Sequence, residues 1–193
     1  MRSSTSSSRS TPTRKSSGRP RPTNNPNTPF TSLFIILSRP RIVVSMCLGF
    51  EACRYNGEMV DADWLKELLF KSDVVAVCPE VLAGRRVPRK PINLYKKDNR
   101  VHVIQDETGL DVTVALEVSS DEFLSTLGDV DAFILKSRSP SCGLGTTKIR
   151  WGDSFYLASG VFAQKAMEAY GEAVFFDEAG LVGEGVDVFL KRV

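Results

Sequence analysis

"RIVVSM", residues 41–46, is a short β-branched run that ends directly before a cysteine, Cys47. It is apolar on consecutive positions and too short for a helix. That pattern belongs to a strand buried on both faces, as in a parallel sheet covered by helices. Three more runs have the same character: "DVVAV" (73–77), "DAFILK" (131–136) and "EAVFF" (172–176). Helical patterns lie among them. "DADWLKELLFKS" (61–72) has Trp64, Leu65, Leu68 and Leu69 at helical spacing, with Asp61 as the expected N-cap. "SSDEFLSTLG" (119–128) opens on a Ser119-x-x-Glu122 capping box and closes on Gly128. "ASGVFAQKAMEAYG" (158–171) is a third helix, and a short one follows the fourth strand. "VHVIQDETGLDVTV" (101–114) alternates around a turn and reads as a hairpin. The expected fold class is α/β: a mostly parallel sheet with helices on both faces.

The charge is divided unevenly. Of 25 Lys and Arg, eight lie in the first 42 residues, which hold no acid; the rest of the chain carries 17 against 23 Asp and Glu. The formal +2 thus averages a basic tail and an acidic domain, so overall charge is no argument for nucleic-acid binding. Residues 1–40 are rich in Ser, Thr and Pro and read as a disordered tail or an organelle transit segment, with the domain at 41–193. The expected compartment is the cytoplasm, or an organelle matrix if the tail is a transit peptide. "LFIIL" (33–37) is too short to span a bilayer, and no membrane partner is expected. About 150 residues can hide roughly two-thirds of their unfolded surface, enough for a core without staples.

The cysteines follow the strands. Cys47 comes immediately after the first buried strand and Cys78 immediately after the second. Cys142 sits in the polar loop "SRSPSCG" beyond the third. In an open parallel sheet the loops at the carboxyl ends of the strands share one edge, where ligands bind. The three are therefore expected at one site, with Cys53 nearby. Four chemistries fit cysteines there. Disulfides need an oxidising compartment, for which there is no secretory signal. Zinc usually takes closely spaced cysteine pairs, and Cys47 and Cys53 are six apart. Plain buried thiols are common in cores. Thiolates gathered at an apolar edge suit an iron–sulfur cluster, the leading reading although the spacing is not that of a ferredoxin.

Four stretches carry a resemblance: "SMCLGFEACRYNG" (45–57), "CPEVLAGRRVPR" (78–89), "GLDVT" (109–113) and "LKSRSPSCG" (135–143). In this order and rough spacing they resemble the thiouracil desulfurase family, long catalogued as a domain of unknown function, over residues 41–180. The resemblance implies a Rossmann-like fold and a [4Fe-4S] cluster held by three cysteines, with one iron left open. Carried over, the ligands are Cys47, Cys78 and Cys142, and Cys53 stays outside the ligand set. The implied activity is non-redox desulfuration of 2-thiouracil or 4-thiouracil to uracil and hydrogen sulfide, the open iron binding the substrate sulfur as a Lewis acid. Glu80 is the expected general acid/base and Ser139 the residue that orients water or the pyrimidine. The implied partners are a small thiolated pyrimidine and the iron–sulfur assembly machinery, with no nucleic acid. Two other classes stay open: a metal-stabilised nucleotide- or RNA-binding protein, and a cluster-based electron carrier.

The remaining polar residues are weaker candidates. His102, the single histidine, reads as a surface or core residue. Asp111 and Thr113 have a turn role or reach the pocket. Arg85, Arg86, Arg89 and Lys90 read as a solvated basic loop able to attract an anionic substrate. Lys136 and Arg138 flank the expected site as possible partners of Glu80.

Overall fold

The computed structural model describes residues 39–193. All of the expected tail except Arg39 and Pro40 lies outside them. A four-stranded, fully parallel sheet forms the centre. Its strands are β1 (Arg41–Ser45), β2 (Asp73–Val77), β6 (Ala132–Leu135) and β9 (Val174–Asp177), in the order β2-β1-β6-β9. Every residue of β6 is buried, as are the last four of β1, which is why these runs are continuously apolar.

Alternate side chains of this sheet feed two cores. Val43, Val77, Phe133 and Leu135 face α3 (Thr113–Thr126) and α4 (Val161–Ala169), against Leu124, Phe162 and Ala166. Ile42, Val44, Ala132 and Ile134 face α1 (Leu65–Lys71), α5 (Glu178–Glu184) and α6 (Val186–Leu190), against Leu68, Leu181 and Phe189. Helices thus cover both faces. Phe133 lies stacked on Phe175 at 4.9 Å between ring centres, and burying a ring of this size contributes about 1.5–3 kcal/mol.

A second sheet was not foreseen. It has the order β5-β4-β3-β7-β8, from β3 (Asn93–Lys97), β4 (Arg100–Gln105), β5 (Leu110–Asp111), β7 (Thr147–Trp151) and β8 (Ser154–Ala158). All its pairings are antiparallel except β3 with β7. Its inner face buries Leu94, Val103 and Ile149 against Leu116 of α3.

Several boundaries differ from expectation. The 101–114 hairpin exists as β4 with β5 but stops at Asp111, whose carboxylate accepts from the Thr113 backbone N–H at 2.9 Å as α3 begins. The capping box is therefore absent: Ser119 and Ser120 lie inside α3, and their hydroxyls donate back to the Leu116 carbonyl. Asp61 caps nothing. Residues 58–63 are drawn to the first cysteine loop, where the Val60 N–H donates to the Cys47 carbonyl at 2.8 Å, so α1 begins only at Leu65. The helix expected from 158 starts at Val161, because Ala158 is the last residue of β8. Among the described residues no helix is long and apolar enough to cross a membrane.

The topology fixes where the cysteines go. The chain runs from β1 to β2 on one side, then returns to β6 on the other. The order reverses at β1, and the crevice at the carboxyl ends of the strands beside such a reversal is where ligands bind in open α/β sheets. That edge carries the loops that follow β1, β2 and β6.

Candidate metal centre

A cavity of about 240 Å³ opens at this edge, and Cys47, Cys53, Cys78 and Cys142 all line it, together with Glu80 and Arg89. None of the four thiols is in a disulfide. Among the described residues no group of three or more His, Cys, Asp and Glu side chains is arranged to hold a single metal ion. The Cys53 thiol lies against those of both Cys47 and Cys78.

Each cysteine is held by its own local device. Cys47 follows β1 in a turn whose Met46 N–H donates to the Val77 carbonyl at 2.7 Å, tying the ends of β1 and β2 together. Cys78 caps the short helix α2 (Pro79–Leu82), whose first turn carries Glu80, with proline at a position where its missing N–H costs nothing. Cys142 is held through Ser139. The Ser139 Oγ accepts from the backbone N–H groups of Ser141 at 3.2 Å and Cys142 at 3.1 Å, and its carbonyl accepts from Thr147 Oγ1 at 2.7 Å. The first turn of α4 then fastens this loop from below. The Val161 and Ala163 N–H groups donate to the carbonyls of Pro140 and Ser141, both at 3.1 Å.

This packing has a checkable consequence. A Cβ on Gly160 would meet the Ser141 carbonyl at 2.6 Å and the Pro140 carbonyl oxygen at 2.7 Å, both rigid backbone. Gly160→Ala is expected to leave the two cores intact but push the Cys142 loop off α4. Circular dichroism should stay near wild type while metal content per chain falls at least several-fold. Full metal content in this variant would show that the loop tolerates the shift.

The electrostatics suit a cation. Burial pushes the Cys142 thiol up to about 12. Contact with the Cys47 thiol, supported by burial, pushes Cys53 up to about 11. Contact with Cys53 and burial likewise raise Cys78. Thiols so crowded become thiolates together only beside concentrated positive charge, which a soft metal centre supplies. The donor set therefore fits a thiolate-ligated cluster.

Glu80 is buried and bonded twice. Its Oε2 accepts from Arg89 Nε at 2.7 Å, and its Oε1 faces Ser141 Oγ at 3.4 Å. The expected pairing with Lys136 or Arg138 does not occur. Lys136 is bound to Glu178, at the start of α5, which also accepts from the Ser137 N–H at 2.6 Å and its hydroxyl at 2.7 Å. Burial alone would raise the Glu178 carboxyl, but these donors outweigh it and hold it below the usual range. Nor is the 85–90 run a uniformly solvated loop. Arg89 is buried against Glu80, and Arg85 Nη2 donates to Gln105 Oε1 at 2.7 Å, while Lys90 lies exposed beside Glu107. His102 contacts Asp111 at 2.9 Å in the second sheet, and neither they nor Thr113 line the cavity.

Cys53, expected nearby, is buried in the cavity wall. Sequence reasoning missed Glu178, and it read Arg89 as part of a solvated loop where the structure buries it. Glu178 had a signal, since it follows the fourth strand directly and so lies at the ligand edge. Arg89 closes the "CPEVLAGRRVPR" stretch, but its burial depends on loops brought together only by the fold.

The family model described as 2-thiouracil desulfurase matches residues 42–178. An uncharacterized protein of Bacillus subtilis (strain 168), YbbK, is 31% identical over 147 residues, covering 72% of this chain and 91% of its own. The solved structure of a [4Fe-4S]-dependent thiouracil desulfidase, TudS, matches with a TM-score of 0.63 at 28% identity. The match covers 80% of this chain and 99% of that one.

Proposed function

The chain belongs to the 2-thiouracil desulfurase family and is an enzyme of that kind, and on that premise we propose that it converts 2-thiouracil or 4-thiouracil to uracil and hydrogen sulfide. The observation that carries this is the meeting of Cys47, Cys78 and Cys142 with Glu80 and Ser139 around one cavity. TudS is [4Fe-4S]-dependent by description, and the thiol donors here fit the same cluster, with Cys47, Cys78 and Cys142 as its ligands. When bound, the cluster supplies a soft Lewis acid for the substrate's thiocarbonyl sulfur.

The protein's own groups do the rest. Water adds to the ring carbon that carries sulfur, the carbon–sulfur bond breaks, and the sulfur departs as hydrogen sulfide; no electrons are gained or lost overall. Glu80 takes one proton from the attacking water and passes it to the sulfur, then takes the second as the adduct's hydroxyl becomes the carbonyl and passes that to the departing sulfur. The Ser139 oxygen accepts from two backbone N–H groups, and its own O–H is the donor that would orient water or a pyrimidine carbonyl.

The test is anaerobic turnover with uracil and sulfide measured together, on protein assayed for iron and acid-labile sulfide. Equal release of the two products at about four irons per chain is expected. Cluster without turnover on either thiouracil would sink the substrate assignment, and protein with zinc or no metal would sink the cluster. One observation favours a second reading, an electron carrier with its cluster closed by four thiolates: Cys53 lines the same cavity. A cluster that loses its irons in Cys53→Ser would support that reading.

We place the domain at 41–193 and the tail outside the chemistry. Arg39 is already tied to the domain, its Nη2 donating to the carbonyls of Leu69 at 2.6 Å and Ser72 at 2.7 Å. A chain starting at Arg39 is expected to fold and bind metal as the full chain does, within about 1 kcal/mol in denaturant unfolding. Loss of solubility or metal would move the boundary.

A further inference from the structure

Arg89 has a side chain only 6% exposed, in the wall of the cavity. Its Nε donates to Glu80 Oε2 at 2.7 Å, its Nη1 to the Cys53 carbonyl at 3.0 Å, and its Nη2 lies 4.0 Å from Cys78 Sγ. Its backbone N–H donates to the Tyr55 carbonyl at 2.8 Å. One guanidinium therefore touches the loop after β1, the loop after β2 and the carboxylate of Glu80. A guanidinium stays charged in proteins, so this buried side chain brings a positive charge to the cavity wall.

We infer that Arg89 is a positioning residue with two tasks: it aims the Glu80 carboxylate, and it offsets negative charge on the Cys78 sulfur. The inference rests on the reading of Cys78 as a cluster ligand. A planar fork of five donors can serve three acceptors in fixed directions, which the single ammonium of lysine cannot. An N–H donor and a positive charge beside a ligand sulfur stabilise the more electron-rich state of a cluster, so they raise its reduction potential. A centre tuned this way draws electron density from a bound sulfur more strongly, which links Arg89 to turnover through Cys78 as well as through Glu80. Glu80 exerts the opposite influence.

A merely structural tether would not move the potential in a charge-dependent way. The experiment is a redox titration of the anaerobically purified, cluster-loaded full chain, followed by visible absorption and electron paramagnetic resonance. Wild type, Arg89→Gln, Arg89→Lys, Glu80→Gln and the Arg89→Gln/Glu80→Gln double variant are compared. The midpoint is expected to shift negative in Arg89→Gln, less so in Arg89→Lys, positive in Glu80→Gln, and back toward wild type in the double variant. In parallel, kcat of Arg89→Gln should fall at least tenfold while KM changes little, with partial rescue in Arg89→Lys. Unchanged midpoints at equal cluster loading would overturn the inference and leave the proposed function standing. If Arg89→Gln fails to fold, Arg89→Lys and Glu80→Gln decide, since their shifts must have opposite signs. A wild type that holds no cluster would overturn the proposed function and this inference together.

Discussion

Cys47→Ser, Cys78→Ser and Cys142→Ser are each expected to lose the cluster or make it labile, while Cys53→Ser keeps it. A serine hydroxyl is nearly the size of a thiol, so packing is almost preserved and the loss reports ligation. The hydroxyl is a hard, weakly acidic donor, and soft iron–sulfur centres select thiolate. Cys142→Ser should be the most severe, because its loop is the most tightly tied, through Ser139, Thr147 and the start of α4, and cannot bring in a replacement. Cys53 stands outside the ligand set in this reading: its thiol lies against Cys47, where a hydroxyl can take its place. Iron and labile sulfide per chain, measured anaerobically on all four variants at matched helicity, check the set. A requirement for Cys53 with one of the others dispensable would reassign the ligands.

The sequence made this edge legible and left the second sheet hidden, for physical reasons. A strand buried on both faces must be apolar at every position, so β1 and β6 announce themselves, and a parallel sheet brings their following loops to one edge. The second sheet is partly wet and carries lysines and arginines in its strands, as in "NLYKK" and "TKIRW". Its signal was in the turns. Asp98 and Asn99 both adopt positive φ between β3 and β4, a residue pair suited to a tight hairpin, and Gly152 does so between β7 and β8. The α3 start was misread because serines that form a capping box in one context form back-bonds to the preceding turn in another. At the site, cysteine positions relative to strand ends could be read, but the partner of Glu80 could not. Lys136 and Arg138 are close to Cys142 in sequence, yet Lys136 lies nearer the start of α5 and finds Glu178, and Arg89 reaches Glu80 from the far end of its own loop.

Glu80→Gln separates the two roles left for that carboxylate. In one it carries the proton. In the other it only anchors Arg89. The amide has nearly the shape of the acid, and its carbonyl oxygen can still accept from Arg89 Nε, so the α2 turn and Cys78 should stay in position. What it cannot do is exchange a proton near neutral pH. If Glu80 moves the proton, turnover per cluster should fall on the order of 10²-fold or more, with KM little changed because the contact to the substrate sulfur is untouched. If Glu80 is only an anchor, the change falls on stability alone. In either role, removing one charge of the buried pair leaves Arg89 uncompensated, at about 3–5 kcal/mol, so the thermal midpoint should drop; in the anchor role alone the turnover of the surviving cluster-loaded protein holds. The two outcomes are read from one preparation: thermal unfolding, cluster content, and anaerobic release of uracil and sulfide at equal loading. Wild-type turnover per cluster in Glu80→Gln would remove Glu80 from the chemistry and leave Ser139 as the remaining candidate for handling the attacking water.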